Sequence, residues 1–356
     1  MSRTDREKTG ADLRLSVAGL VSALPLGAAL AMRVGPRQPD HEREPSGEQT
    51  DAEREVAGHA RGSWHRACQH VPVRRDIAVN GVRLHCVLEG KGPLVLLLHG
   101  FPESAYAWRK QIPALAERFR VVAPDLRGYA ESDKPPRVSD YRIPVLVADI
   151  VGLIQALGED RAHVVGHDWG GAIAWAAAET RPEAVDRLVV LNCPHPMPLK
   201  RALRSLSRQV LRSWYVLFFQ LPRVPEAILG WDGGAGLERM LRGSANRGRA
   251  FSDDDLLEYR RAFSMPGAAT ATLNYYRAVF RDALTGRALD ASTIIQAPTL
   301  LIWAEDDVAL GRELTNDMQG LFASEFRIEY VPHTSHWVME ERPELVNRLL
   351  LDFLRA

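Results

Sequence analysis

Cysteine is scarce in this 356-residue chain, and neither sign of charge is in excess. The three cysteines, Cys68, Cys86 and Cys193, lie far apart and form no paired C-x-x-C motif. This spacing predicts neither a disulfide framework nor a metal site. Lys and Arg together number 45, as do Asp and Glu, so the chain has no overall field that would hold a phosphate backbone. We therefore expect no nucleic-acid partner.

One long uncharged run, from Leu15 to Met32, lies in a head whose composition differs from the rest of the chain. It is diluted by Gly, Ser and Pro, and it only just reaches the roughly 18 to 20 residues that a membrane-spanning helix needs. Its Ala29–Ala31 stretch also fits the cleavage site of a secretory signal. We expect residues 1–70 to be a disordered extension of a cytoplasmic protein. Weak membrane association through residues 15–32, anchoring and export are the alternatives.

The remaining sequence has the pattern of an α/β protein. From Pro72 onward, apolar strands alternate with amphipathic helices, which predicts a mostly parallel central sheet with helices on both faces. The predicted strands are Val73–Val79, Val82–Leu88, Pro93–His99, Val121–Pro124, Ala162–Gly166, Val185–Leu191, Thr299–Trp303 and Phe326–Val331. The predicted helices that alternate with them are Ala105–Phe119, Val145–Leu157, Ala172–Ala178 and Pro343–Leu354.

The alternation is interrupted between Pro194 and about Leu289, where the sequence contains helical stretches rich in aromatics and no strand pattern. We therefore predict an α/β core formed by residues 71–194 and 290–356, with residues 195–289 inserted as a helical cap. A cap in this place would cover the carboxyl edge of the sheet, where ligands bind in open α/β folds.

The chemistry is centred on the segment AHVVGHDWGG, from Ala162 to Gly171. An apolar strand, a reactive side chain at Asp168 and an Ala-rich helix follow one another, with small residues on both sides of the turn. This is the spacing of a nucleophile elbow. The structural alternative is that Asp168 only caps the helix beside a Gly-Gly turn. Because no serine stands at position 168, the elbow argues against a serine esterase or lipase.

A carboxylate nucleophile forms an ester, which an activated water must then hydrolyse. That step requires a base, usually His, and a carboxylate that orients it. Asp306 and Asp307 follow the strand pattern TLLIWAE, and His336 follows the next strand. The order nucleophile, acid, base matches that of α/β-hydrolases, with Asp307 as the acid and His336 as the base. His333 is the competing base, and a solvated turn is the alternative for the aspartates.

Two backbone N–H groups usually hold the developing oxyanion, one after the nucleophile and one after an early strand. The candidates are Trp169 and Phe101, the latter within HGFPE at residues 99–103. Pro102 stiffens this loop, and a cis bond can precede it. A tight exit from the strand is the alternative explanation of the motif.

These motifs resemble the α/β-hydrolase superfamily and, within it, the epoxide hydrolases. The resemblance covers the chain from about Val73 to its C-terminus. The chain is most similar to the epoxide hydrolase 3/4-like group and its bacterial relatives, several of which carry N-terminal hydrophobic anchors. The segment DLRGYAESDKP has Ala130 where many relatives have Gly. The motifs that carry the resemblance are HGFPE at 99–103, DLRGYAESDKP at 125–135, GHDWGG at 166–171, YVLFFQLP at 215–222, LNYYR at 273–277 and HW at 336–337.

The resemblance implies that Asp168 attacks an epoxide carbon and that Tyr215 and Tyr276 of the cap donate protons to the ring oxygen. His336, oriented by Asp307, would then activate the water that cleaves the ester and releases a vicinal diol. Tyr275 is the neighbour that could be mistaken for Tyr276, and either ring could simply pack. The resemblance also implies a small apolar epoxide as substrate, with water and without metal or cofactor. The residues expected to line the pocket are Trp169, Pro102, Trp214, Phe218 and Trp337.

Two other functions are compatible with parts of the pattern. A haloalkane dehalogenase shares the Asp nucleophile, and there Trp169 would help to bind halide, but paired tyrosines in the cap would be unnecessary. A non-catalytic ligand-binding protein can also use this fold. That hypothesis predicts the loss of Asp168, Asp307 or His336, and all three are present.

Overall fold

The computed structural model describes residues 72–205, 207–246, 250–287 and 293–355. The interpretations of residues 1–70, including the uncharged run at 15–32, and the cap boundary at 289 lie outside these residues. Within the described ranges, no helix combines the length and the apolar character that crossing a bilayer would require. Cys86 and Cys193 are buried free thiols.

Eight strands form one sheet in the order β1-β2-β4-β3-β5-β6-β7-β8. Strands β3 to β8 run parallel to one another, whereas β2 is antiparallel to both of its neighbours, β1 and β4. The predicted fold class, a mostly parallel sheet, is therefore confirmed. The strands are β1 Val73–Val79, β2 Val82–Glu89, β3 Leu94–Leu98, β4 Arg120–Pro124, β5 Ala162–His167, β6 Val185–Leu191, β7 Thr299–Ala304 and β8 Phe326–Val331.

Helices surround the sheet and fill the segment between β6 and β7. The α-helices are α1 Ile112–Ala116, α2 Ile143–Ala156, α3 Trp169–Thr180, α4 Pro196–Arg204, α5 Arg208–Arg212, α6 Trp214–Phe218, α7 Val224–Ser244, α8 Asp253–Phe263, α9 Ala268–Thr285, α10 Val338–Glu341 and α11 Pro343–Arg355. Residues 231–234 inside α7 are not helical. Short 3-10 turns occur at Ala105–Trp108, Val138–Tyr141, Pro182–Ala184, Arg312–Thr315 and Gln319–Leu321.

The central strand β3 explains why both faces of the sheet are covered. All five of its side chains are buried, and successive side chains of a strand point to opposite faces. Leu96 and its alternate neighbours pack with residues of α2 and α3, whereas Val95 and Leu97 pack with residues of α1 and α11. A run of five consecutive apolar residues is thus what a strand between two helical layers requires.

The single helix predicted over Ala105–Phe119 is wrong. The structure has a 3-10 turn at Ala105–Trp108 and a separate helix, α1, that begins at Ile112. Pro113 lies in the first turn of α1, where its missing N–H is not needed, but inside a continuous helix it would remove a hydrogen bond and clash with the preceding turn.

The helices α4 to α9, here called the inserted helices, are tied to the core by polar contacts. The Tyr275 hydroxyl of α9 donates to the Arg127 carbonyl at 2.7 Å. Arg142, just before α2, pairs with Asp282 of α9 at 2.8 Å. These contacts hold α9 beside the loop that follows β4, close to the carboxyl edge of the sheet.

Candidate active site

The turn between β5 and α3 places Asp168 at a sharp corner. Its φ of 47° is unusual for a residue with a side chain. The flanking glycines are needed for close approach: a methyl carbon at Gly170 would lie 2.1 Å from the Leu98 carbonyl oxygen, and one at Gly166 would lie 2.3 Å from the Gly170 oxygen. The backbone of the elbow therefore contacts β3 directly, and the turn projects the carboxylate from the sheet edge.

The loop after β3 supplies a hydrogen-bond donor to this carboxylate. The Phe101 N–H donates to Asp168 Oδ1 at 2.8 Å. Gly100 allows the approach, because a methyl carbon there would lie 2.4 Å from Asp168 Cβ. The peptide bond between Phe101 and Pro102 is cis. The Trp169 N–H is the first of α3, and such a group has no partner within its helix.

His336 lies between the two aspartates. Its Nδ1 is 2.6 Å from Asp307 Oδ2, and its Nε2 is 3.6 Å from Asp168 Oδ2. The first distance is a hydrogen bond, whereas the second is too long for one and leaves Nε2 directed at the nucleophile side of the site. The competing residues lie elsewhere, since both His333 and Asp306 are exposed.

Asp307 is held by more partners than the sequence analysis anticipated. Its Oδ1 accepts the backbone N–H groups of Ala309 and Leu310 at 2.8 and 2.9 Å. Its Oδ2 accepts from the Asn192 side chain at 2.9 Å as well as facing His336. The Asn192 side chain in turn accepts the Ala304 N–H at 3.0 Å. The position of Asn192 directly after β6 was the available signal for this residue, which sequence reasoning missed.

The three ionisable groups perturb one another strongly. Burial alone would raise the pKa of Asp307, but the positive His336 and the hydrogen bonds that it and Asn192 donate hold that pKa below its ordinary value. The same opposition lowers the pKa of Asp168, where His336 and the Phe101 N–H outweigh burial. Burial would lower the pKa of His336, yet Asp307 and Asp168 raise it well above its ordinary value. These shifts favour an ionised Asp168 carboxylate that faces a positively charged His336 ring.

Behind these residues lies a second buried pair that sequence reasoning also missed. Glu103 Oε2 accepts the Gly100 N–H at 3.0 Å and lies 2.9 Å from His167 Nδ1. The other His167 nitrogen is 3.0 Å from the His336 backbone oxygen. Because a carbonyl oxygen only accepts, His167 Nε2 donates to it. The hydrogen bond between His167 Nδ1 and Glu103 Oε2 therefore needs a second proton. The pair connects the loop after β3 to the segment that carries His336.

Two phenols from the inserted helices lie beside the elbow and the loop after β3. The Tyr276 ring is 4.9 Å from the Trp169 ring and 5.4 Å from the Phe101 ring, measured between centroids. The Tyr215 ring is 5.9 Å from that of Tyr276. Burial and the charge of Asp168 raise the pKa of both tyrosines well above the ordinary value, so both carry their protons. Tyr275 differs, because its hydroxyl donates to the Arg127 carbonyl, away from the carboxylate.

Some of the residues expected to line the pocket lie at the site, and others do not. Pro102 and Trp337 are buried, and the Trp337 ring lies 5.0 Å from that of His336. Trp214 is not placed at the site, because it is 54% exposed and its ring lies beside that of the partly buried Phe218, at 5.9 Å. The reason is helical geometry: consecutive residues of α6 point in different directions, and Tyr215 takes the inward one.

Phe219 takes the place expected for the neighbouring phenylalanine. It is buried, and its ring lies 4.8 Å from that of Tyr276 and 5.6 Å from that of Phe101. The wall beside the carboxylate is thus aromatic and apolar. Over the described ranges, no group of three or more His, Cys, Asp or Glu side chains is arranged to hold a metal ion.

Comparison with known proteins matches residues 93–343 to a family described as the alpha/beta hydrolase fold. The chain is 40% identical over 282 residues to the AB hydrolase superfamily protein YfhM of Bacillus subtilis, an alignment that covers 78% of this chain and 96% of that protein. It is 38% identical to epoxide hydrolase 3 of Xenopus tropicalis, covering 78% and 76%. A crystal structure of the Bacillus megaterium epoxide hydrolase with an inhibitor superposes with a TM-score of 0.73 and 32% identity, covering 79% and 100%.

Proposed function

Because the chain belongs to the α/β-hydrolase family, and to the epoxide hydrolases within it, we propose that it converts a small apolar epoxide and water to a vicinal diol. The observation that carries the proposal is the state of the Asp168 carboxylate. Its Oδ1 is held by the Phe101 N–H, which leaves Oδ2 facing His336. Oδ1 is thereby held where the oxyanion of the ester hydrolysis would form, and Oδ2 is available to attack an epoxide carbon.

In the first step, Asp168 Oδ2 forms a bond to an epoxide carbon as the bond from that carbon to the ring oxygen breaks. The carboxylate needs no deprotonation, since its lowered pKa keeps it ionised. The ring oxygen leaves as an alkoxide and takes a proton from Tyr215 or Tyr276, whose raised pKa values keep them protonated in the resting enzyme. The product is an alkyl ester on Asp168.

In the second step, the esterified Asp168 has lost its negative charge. One of the two carboxylates that raise the pKa of His336 is then neutral, so the imidazolium gives up its proton more readily. Net transfer of this proton to the tyrosinate left by the first step restores the phenol and leaves His336 neutral. Neutral His336, oriented by Asp307, removes a proton from water as the water oxygen attacks the ester carbon. The N–H groups of Phe101 and Trp169 stabilise the oxyanion of the tetrahedral intermediate. As this intermediate collapses, the bond from the carboxyl carbon to the alkyl oxygen breaks. The departing oxygen takes the proton of the new carboxyl group, so the diol leaves and the Asp168 carboxylate is regenerated.

The choice between an epoxide and an alkyl halide as substrate is tested by product analysis. We expect the purified protein to convert styrene oxide to its diol and to release no bromide from 1-bromobutane, because the paired phenols protonate an alkoxide and have no role toward a halide. Diol is followed by chromatography and bromide by ion-selective electrode. Release of bromide without formation of diol would instead make the protein a haloalkane dehalogenase.

The role of the inward phenol is tested by Tyr276→Phe. This change removes one hydroxyl from beside the carboxylate and leaves the ring packing intact, so we expect alkylation of Asp168 to slow by roughly tenfold or more. The measurement is the single-turnover rate of ester formation with styrene oxide. Tyr275→Phe is the matched control: it removes the hydrogen bond to the Arg127 carbonyl and costs about 1 kcal/mol of stability, with alkylation unchanged. Equal rates for wild type and Tyr276→Phe would reduce Tyr276 to a packing residue.

A further inference from the structure

The outer surface of the inserted helices is unusually apolar. Twelve large apolar side chains are exposed among the described residues, and half of them fall within residues 211–231. We call these six the outer face: Leu211, Trp214, Leu221, Val224, Ile228 and Trp231. Single exposed apolar side chains are ordinary on a protein surface, whereas so many within one short stretch of the chain are a concentration that a binding role would explain.

The first half of α7 shows that the exposure follows the helix geometry. Val224 and Ile228 are spaced by four residues, which places them on one side of the helix, and Trp231 follows where the helical backbone is interrupted. They are 44%, 52% and 59% exposed. Pro225 and Leu229, spaced by four residues, are buried on the other side. This stretch therefore presents an apolar stripe to the protein interior and a second one to the outside, where no described residue covers it.

The same part of the chain is strongly basic, although the whole protein has no net charge. Residues 196–232 contain six basic residues and two acidic residues, Glu226 and the exposed Asp232. Glu226 is not available to balance the surface, because it is half-buried and pairs with Arg277 of α9 at 2.8 Å. The outer face therefore lies in a region of net positive charge.

Most of these cations have no carboxylate partner in the described part of the chain. Lys200, Arg204, Arg208 and Arg223 are exposed and form no ion pair there. The other two cations lie near carboxylates of the core: Arg201 is 3.8 Å from Asp317, and Arg212 is 3.9 Å from Glu313. One more cation, Arg239, lies 5.9 Å from the centroid of the Trp231 ring.

We propose that the outer face docks onto an anionic lipid surface. Exposed Trp and aliphatic side chains beside unpaired Lys and Arg are the combination that binds a bilayer interface, with the apolar groups entering the acyl boundary and the cations facing lipid headgroups. A nucleic acid matches only the charge, because its phosphate backbone offers no apolar layer for Ile228 or Trp231. Since α6 carries Trp214 outward and Tyr215 inward, docking also brings an apolar epoxide dissolved in the bilayer near Asp168, a consequence that rests on the proposed function.

The test is co-sedimentation of the full chain with vesicles of phosphatidylcholine alone or mixed with phosphatidylserine. We expect binding to the mixed vesicles and much weaker binding to the neutral ones. The double variant Ile228→Ser with Trp231→Ser should lower the partition coefficient by about tenfold or more, because two apolar side chains no longer leave water. The variant Arg204→Glu with Arg208→Glu should abolish the preference for phosphatidylserine.

Matched controls lie outside the outer face. Leu257→Ser removes an equally exposed apolar side chain of α8, and Arg118→Glu with Arg348→Glu reverses two exposed cations elsewhere. Both controls should bind vesicles as the wild type does.

The proposal is overturned if the wild type binds neither kind of vesicle, if the variants of the outer face bind as tightly as the wild type, or if the control variants lose binding equally. It is also overturned if the face variants change only the oligomeric state in sedimentation equilibrium, since the outer face would then contact a second copy. Diol formation from styrene oxide in solution is recorded separately, so failure of docking and failure of the proposed activity are distinguishable.

Discussion

Replacing His336 by Gln is expected to trap the enzyme as an alkyl ester on Asp168. The first step does not use the imidazole as a base, so styrene oxide should still alkylate the carboxylate. The second step loses its base, and we expect steady-state turnover to fall by about 10²- to 10⁴-fold, the usual contribution of a positioned general base. Intact mass spectrometry should show the protein increased by one molecule of epoxide, and peptide mapping should locate the addition at Asp168.

The position of His336 explains why its replacement should affect ester hydrolysis more than alkylation of Asp168. His336 Nε2 lies 3.6 Å from Asp168 Oδ2, a separation that suits attack by a water on the ester carbon. Gln cannot accept a proton from that water with comparable basicity. The variant also removes a positive charge that lowers the pKa of Asp168, but the Phe101 N–H still donates to the carboxylate and favours its ionised form. Alkylation therefore slows and does not stop.

His333→Gln is the control for this experiment. It makes the same chemical change three residues earlier in the chain, at an exposed position whose φ is 53°. We expect this variant to turn over like the wild type and to accumulate no ester. If His336→Gln turned over rapidly while His333→Gln accumulated the ester, the base would be His333 and the assignment from the geometry would be wrong.

The sheet and the elbow were open to prediction because local pattern determines them. The apolar run of β3 requires cover on both faces, and the glycines around Asp168 are explained by backbone contacts that any nucleophile elbow makes. Asp168, Asp307 and His336 each follow a strand of the predicted parallel sheet, which was sufficient to place them at one edge of it, since parallel strands have their carboxyl ends at one edge.

Other features depend on tertiary contacts that have no local signature. Asn192 binds Asp307 only because β6 and β7 are neighbours in the sheet, and Glu103 meets His167 only because the loops after β3 and β5 converge. The expectation for Trp214 failed for a similar reason. Its sequence neighbourhood predicts a helix rich in aromatics, but the rotation of that helix, which sends Tyr215 inward, is set by packing against Phe219 and Tyr276.

Replacing Asp168 by Asn is expected to have the largest effect on the reaction. The amide keeps the shape of the side chain and can still accept the Phe101 N–H, but its nitrogen and its neutral oxygen are poor nucleophiles toward an epoxide carbon. Because no ester can form, we expect turnover to fall by about 10⁴-fold or more. Single-turnover assays with styrene oxide should show neither diol nor an increase in protein mass.

The double variant Asp168→Asn with His336→Gln determines where the covalent bond forms. His336→Gln alone should accumulate the alkyl adduct, and the additional Asp168→Asn change should abolish that adduct completely, because the histidine acts only after the aspartate has reacted. Asp306→Asn with His336→Gln is the matched control, since Asp306 is exposed and adjacent to Asp307. It should accumulate the adduct as readily as His336→Gln alone. An adduct that persisted without the Asp168 carboxylate would mean that another side chain is alkylated, and the two-step mechanism would then lack its nucleophile.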